Sequence, residues 1–372
     1  MFNKKDIKRN QYMLNSYKFG YDWWWHNLTA MDEEGNEKPF FIEFFVVNPS
    51  LACEYPVFGQ LKENKEKGIR PSYLMVKAGC WKNQGIQLHR FFGLKNVNIQ
   101  KCPFSIEADD CIANETTLKG SIHITKEESS NHPEWMCDYG DMSWDLSIKK
   151  DIAFNVGYGT SNLLRNIHAF EMYWHAQGMK STYSGTITFN GKEYRVIPEK
   201  SYGYADKNWG SNFTSPWVWL SSNHLVSNIT KENLKNSVFD IGGGRPKVFF
   251  IPLNRKLLGV FYHEGKEYDF NFSHFWKGIH TDFKCVETDT SIVWYVTQSN
   301  FKYEMKTTIT CLKKDMLLVN YEDPYGNKRH NRLWNGGNGT GHIQLFDKKT
   351  GKCIEDVTAY NIGCEYGEYD KE

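Results

Sequence analysis

A long succession of short β-forming runs, each closed by turn residues, fills the chain and leaves little room for helices. Lys38–Val47 (KPFFIEFFVV) ends at Asn48-Pro49, and Ser72–Ala78, Gly85–Phe91 and Leu118–Thr125 follow in the same style. Asn190-Gly191 separates Tyr183–Phe189 from Glu193–Ile197, and Glu264-Gly265 separates Leu257–His263 from Glu267–Phe272. Two-residue breaks of this kind predict tight hairpins, because both central residues must adopt positive φ. The one expected helix is short and peripheral, at about Lys4–Ser16. Such spacing predicts an all-β protein of sandwiches or antiparallel barrels. Single cores stop growing near about 250–300 residues, so a chain of 372 is expected to form two units, 1–200 and 201–372.

Composition excludes several functions. With 45 basic and 44 acidic side chains the net charge is +1, which argues against binding nucleic acid or an anionic membrane surface. No stretch approaches the roughly 18–20 apolar residues of a membrane helix. The N-terminal MFNKKDIKRN has no apolar run after its charges, so a cytoplasmic protein is expected. Nine scattered cysteines without C-x-x-C predict reduced thiols and neither a zinc ribbon nor a redox motif. Aromatic residues are abundant, with 24 Phe, 21 Tyr and 13 Trp, and rings in such number build large apolar surfaces, a pocket among them.

Several segments carry candidate chemistry. His168, Glu171 and His175 would share one face of a helix, a metal-ligand spacing, but on the expected strand they split between faces, so no metal is expected. The runs Gly242–Gly244 and Asn335–Gly341 lack the Lys-Ser/Thr of a phosphate loop and predict turns or bulges beside a cavity. Glu43 shares a strand face with Phe41, Phe45 and Val47. There it is either a paired carboxylate or an acid whose pKa is raised by desolvation. In Tyr21–His26 (YDWWWH), Trp23 and Trp25 share one face, while Asp22, Trp24 and His26 share the other. The densest segment is Gly203–Gly210 (GYADKNWG), followed by Trp217 and Trp219 on one face of the next strand, with Ser221 and Asn223 continuing it. It is either reactive or braced by a buried ion pair, Asp206 with Lys207 or with a distant partner.

YADKNWG resembles the Y-A-E-K-N-W-G signature of the tocopherol cyclase family, with Asp206 where that family usually carries Glu. The preceding GTITFNGKEYRV, the WVWLSSN strand and the closing G-x-E-x-G in NIGCEYG resemble the same family. The resemblance covers most of the chain, strong after residue 170 and weak before it. It implies two lipocalin-like (calycin-type) antiparallel β-barrels packed together, with a pocket between or inside them. The same fold hosts carotenoid 1,2-hydratases and Diels–Alder cyclases. The implied activity is cofactor-independent ring closure, an isomerase or intramolecular lyase reaction on a hydrophobic prenylated or polyene small molecule. It begins with protonation of an alkene. Asp206 is the first candidate acid, with Asp22 and Glu43 behind it. Asn208 and His175 would orient the substrate, and Lys207, Trp23, Trp24, Trp25, His26, Trp174, Trp209, Trp217, Trp219 and Asn223 would line its site. The alternatives are a lipocalin-like binder without chemistry, and a hydratase or pericyclic cyclase of the same fold.

Overall fold

The computed structural model describes residues 3–14, 18–83, 85–156, 170–245, 247–248, 251–252 and 256–367. It is all-β, with two large barrel-like antiparallel sheets packed together. Among the described residues, twelve strands between Tyr21 and Gly210 form the first sheet, and eleven between Trp217 and Gly367 form the second. The change of sheet falls between Gly210 and Trp217. Gly203–Gly210 therefore belongs to the first sheet, paired with Tyr21–Met31 on one side and Met172–Phe189 on the other.

The apolar runs become strands buried on both faces, as continuous hydrophobic strands do. In Glu37–Val47, Phe40, Ile42, Phe44 and Val46 point into the core of the first barrel. Phe41, Phe45 and Val47 point the other way, into a second cluster shared by both sheets. The second barrel has its own core around Leu220, Phe239, Ile241, Trp294 and Ile343. The shared cluster, which holds Trp25, Phe41, Tyr204, Trp219 and Tyr321, is the contact layer between the barrels. Solvent-facing strands show the other pattern. Gly140–Phe154 alternates exposed and buried residues from Asp141 to Lys150.

Both expected hairpins form. Asn190 and Gly191 have φ of 48° and 77°, and Glu264 and Gly265 have 41° and 94°, the positive pair that a two-residue turn requires. The N-terminal helix is shorter than expected. It spans Lys4–Arg9, with Asn3 and Asp6 forming a reciprocal cap. Beyond Asn10 the backbone is drawn into the first barrel: the Met13 N–H donates to the Asp22 carboxylate at 2.6 Å, and the Gln11 carbonyl accepts from Lys207 at 2.8 Å. Two charged loops contain further short helices, Lys62–Glu66 and Lys126–Asn131, the second capped reciprocally by Thr125 and Glu128. The glycine runs lie inside strands. Gly242–Gly244 closes Val238–Gly244, and residues 335–341 sit in Lys328–Asp347, whose pairing is irregular between Gly336 and Gly341.

Candidate active site

The period of two divides YADKNWG between the two faces of its strand. Tyr204, Asp206 and Asn208 face the layer between the barrels, and Lys207 and Trp209 face the first barrel's interior. Register then assembles the layer. Lys77 lies opposite Glu43, Glu43 opposite Trp25, and Trp25 opposite Asp206, so these four form one row across adjacent strands. In the next row Asn208 sits between Trp23 and Trp174. The second sheet brings Asp240 opposite Ser221, Trp219 opposite both Gly242 and Glu365, and Asn335 opposite Glu365.

Three carboxyls, Asp206, Asp240 and Glu43, are thereby buried in an aromatic layer, and a fourth, Glu365, is half-buried at its side. Asp206 Oδ2 accepts from Trp174 Nε1 at 2.8 Å and from the Tyr204 hydroxyl at 3.2 Å. Trp219 Nε1 donates to the Tyr204 hydroxyl and to Asp240 Oδ1, both at 3.2 Å. Glu365 accepts from Trp217 Nε1 at 3.1 Å and from the Asn335 amide. Glu43 pairs with Lys77 at 3.3 Å and accepts from the Tyr321 hydroxyl at 3.3 Å. Asp206 Oδ1, Asp240 Oδ2, Glu43 Oε1 and Asn208 Oδ1 are buried with no hydrogen-bond partner among the described residues.

Burial without enough cations sets the electrostatics. Desolvation holds Asp206 well above the usual carboxylate range; the nearby Glu365 and Glu43 push it further, and the Trp174 and Tyr204 donors act against them. Desolvation likewise raises Asp240, with Asp206 as the principal like charge. Burial pushes Glu365 up to about 7 despite Trp217 and Asn335. Glu43 is raised by burial and partly restrained by Lys77, whose own pKa burial lowers. Among the described residues one ammonium thus faces four carboxyls, and burial favours their protonated forms.

The other expected residues lie elsewhere. Asp22 and Lys207 pair with each other at 2.6 Å on the first barrel's inner side, both fully buried. Of the two ion-pair alternatives, Lys207 with Asp206 does not form, because adjacent strand residues point apart, and Lys207 takes a distant partner. The Lys207 ammonium lies 4.5 Å from the Trp24 ring centre and 5.1 Å from that of Trp209. Trp24 stacks on Phe104 at 4.0 Å, and Trp209 stacks on Tyr173 at 5.5 Å. His26 Nδ1 is 2.8 Å from the Tyr183 hydroxyl. His175 lies opposite Lys207, and burial lowers its pKa to about 3. Asn223 ties the two sheets together by donating to the carbonyls of Gly203 at 2.8 Å and Met179 at 3.3 Å.

The layer therefore gathers Asp206, Glu43, Trp23, Trp25, Trp174, Asn208, Trp217 and Trp219. It does not gather Asp22, Lys207, Trp24, His26, His175 or Trp209. Of the considered metal triad, His168 lies outside the described residues and Glu171 pairs with Lys247 at 3.4 Å. Among the described residues no three His, Cys, Asp or Glu side chains are grouped to hold a metal. Sequence reasoning missed Asp240, Glu365 and Tyr204. A charged residue inside the apolar run Val238–Ile241 was a usable signal for Asp240, of the kind already applied to Glu43.

A family model described as tocopherol cyclase-like matches residues 106–368. Among solved structures, the chain is similar to a protein of Nitrosomonas europaea assigned as AttH, at 11% identity and a TM-score of 0.49, covering 95% of this chain and 94% of that one. It is similar also to kievitone hydratase of Nectria haematococca, at 10% identity and a TM-score of 0.48, covering 98% and 93%. No curated protein matches it. The match over most of its length places this chain in the tocopherol cyclase-like family.

Proposed function

We propose that the protein is a cofactor-independent cyclase that protonates an alkene of a prenylated, mostly apolar substrate held between the two barrels. The observation that carries this reading is the asymmetry of Asp206. Oδ2 takes both donors, Trp174 and Tyr204, and Oδ1 takes none. The doubly bonded oxygen is the carbonyl side of a neutral acid, which leaves the proton on Oδ1, free to transfer. The alkene π pair takes that proton, forming a C–H bond and a tertiary cation. Trp174 bonds the acid, Trp25 lies opposite it and Trp23 stands in the next row, and an indole face turned to the cation would stabilise it by about 0.5–2 kcal/mol. A phenol oxygen of the same substrate then closes the ring and loses its proton.

The test is turnover of a panel of prenylated hydroquinones in deuterium oxide, followed by mass spectrometry. The expected product is a ring-closed isomer carrying one non-exchangeable deuterium. Asp206→Asn should lower its formation by about 10²–10⁴-fold, the usual range for a general acid. Full turnover by that variant would refute the assignment. Unchanged release of a tightly bound panel member would favour the binder.

A further inference from the structure

We propose that Asp240 and Asp206 work as a base and acid pair joined through the Tyr204 hydroxyl. Asp206 gives its proton to the alkene carbon, and Asp240 takes the proton released by the oxygen that captures the cation. This rests on the reading of Asp206 as the acid.

The two carboxyls come from different sheets, Asp206 from Gly203–Gly210 and Asp240 from Val238–Gly244. Tyr204 spans them. Its hydroxyl donates to Asp206 Oδ2 at 3.2 Å and stands beside Asp240, the two sharing the Trp219 N–H. Trp219 Nε1 fixes the crossing point, within 3.2 Å of both the Tyr204 hydroxyl and Asp240 Oδ1. Asp240 is fully buried, and its Oδ2 has no partner among the described residues. A structural acceptor for the Trp219 indole needs only a neutral amide oxygen. A second carboxyl here, beside an acid and without its own cation, is instead suited to holding one proton between two sites.

The proton count closes. At the start Asp206 is neutral and Asp240 is a carboxylate. After ring closure the substrate carbon holds the Asp206 proton, and Asp240 holds the proton from the broken O–H bond. Asp240 then passes a proton to the Tyr204 oxygen while Tyr204 passes its own to Asp206 Oδ2, and a half-turn of the Asp206 carboxyl with rotation of the Tyr204 O–H restores the starting state with no outside reagent. The other titratable groups acting on the pair are Glu43 and Glu365, with Lys77 beyond Glu43.

The test begins without substrate. Infrared titration of the carbonyl band of protonated carboxyls is compared for the wild-type protein and the Asp206→Asn, Asp240→Asn and Tyr204→Phe variants. Asn is nearly isosteric and keeps the Trp219 acceptor, and thermal melts check that each variant is folded. In Asp240→Asn the Asp206 band should titrate at least about one pH unit lower, because the like charge is gone. Turnover of the prenylated hydroquinones should fall about 10²-fold or more in Asp240→Asn. Tyr204→Phe, which spares both carboxyls, should keep the coupled titration yet lose about tenfold or more in turnover. An Asp206 titration unmoved by Asp240→Asn, or wild-type turnover in that variant, overturns the pair and leaves the acid assignment standing. Full turnover in Asp206→Asn removes the acid assignment itself. If no hydroquinone reacts, the titration alone decides the pairing.

Discussion

Trp174 of the first sheet lies against Gly242 of the second, so closely that a Cβ on Gly242 would meet the indole ring at 2.8 Å. The backbone of Gly242 is not in the left-handed region, so space alone explains the glycine. The same indole donates its N–H to Asp206. Gly242→Ala should therefore push the ring away from the acid and loosen the contact between barrels. The expected cost is about 1–3 kcal/mol in denaturant unfolding, the usual penalty for overpacking. Turnover should fall further than stability does, because the donor that orients Asp206 moves with the ring. Unchanged unfolding and turnover in Gly242→Ala would mean that the layer has slack at this point.

Asp22 and Lys207 should behave as a brace. Both are fully buried and 2.6 Å apart, and Lys207 also holds the Gln11 carbonyl, so the pair pins the N-terminal segment into the first barrel. Lys207→Met alone strands a carboxylate in the interior and should cost about 3–5 kcal/mol. Removing both charges in Asp22→Leu/Lys207→Met should recover much of that loss, since desolvation offsets most of the attraction in such pairs. Chemical denaturation of the single and double variants checks this. A double variant as weak as the single one would show that packing around Trp24 and Trp209, not charge, sets the cost.

Much of this architecture was legible in the residues, and the limit is physical. A period of two placed Phe41, Glu43 and Phe45 on one face and separated Trp23 and Trp25 from Trp24. Asn190-Gly191 declared its hairpin because few other pairs tolerate two positive φ values. The strand pattern of YADKNWG also implied that Asp206 and Lys207 point apart. What the chain could not declare was which distant strand comes next. Asp240 and Glu365 reach the site only because Trp217–Ser222 lies between their two strands, and Lys207 meets Asp22 only through the register of Tyr21–Met31. Local periodicity fixes a residue's face, whereas sheet order depends on the summed packing of the whole layer. The first glycine run misled for the same reason: Gly242 is small because of an indole on another sheet, whereas the run at 335–341 does interrupt its pairing.

His26 and His175 should make the protein acid-sensitive. Burial lowers both to about 3 from an ordinary value of 6.5. Between those values the unfolded chain binds protons that the folded chain refuses, so stability falls as pH drops. The contribution is complete above about pH 6.5 and disappears on the way down to about 3. His26→Gln, which keeps a polar group near Tyr183, should flatten the stability curve between pH 6 and 4. Equal slopes for variant and wild type would show that the ring is hydrated.

Glu365 should act with the opposite sign. Its folded value is pushed up to about 7 from 4.5, chiefly by burial. The folded protein then holds a proton that the unfolded chain releases, so this contribution is complete below about pH 4.5. It is lost as pH rises through about 7. Glu365→Gln mimics the neutral acid at every pH and can still receive the Trp217 N–H. Variant and wild type should therefore be nearly equal in stability at pH 4.5. Each tenfold change in proton affinity between the folded and unfolded chain is worth about 1.4 kcal/mol, so the variant should become the more stable of the two by on the order of 3–4 kcal/mol above pH 7. Melting curves from pH 4.5 to 8 measure the difference directly. A constant gap across that range would mean that Glu365 is already ionised at pH 4.5, and that the layer carries one proton fewer than its burial implies.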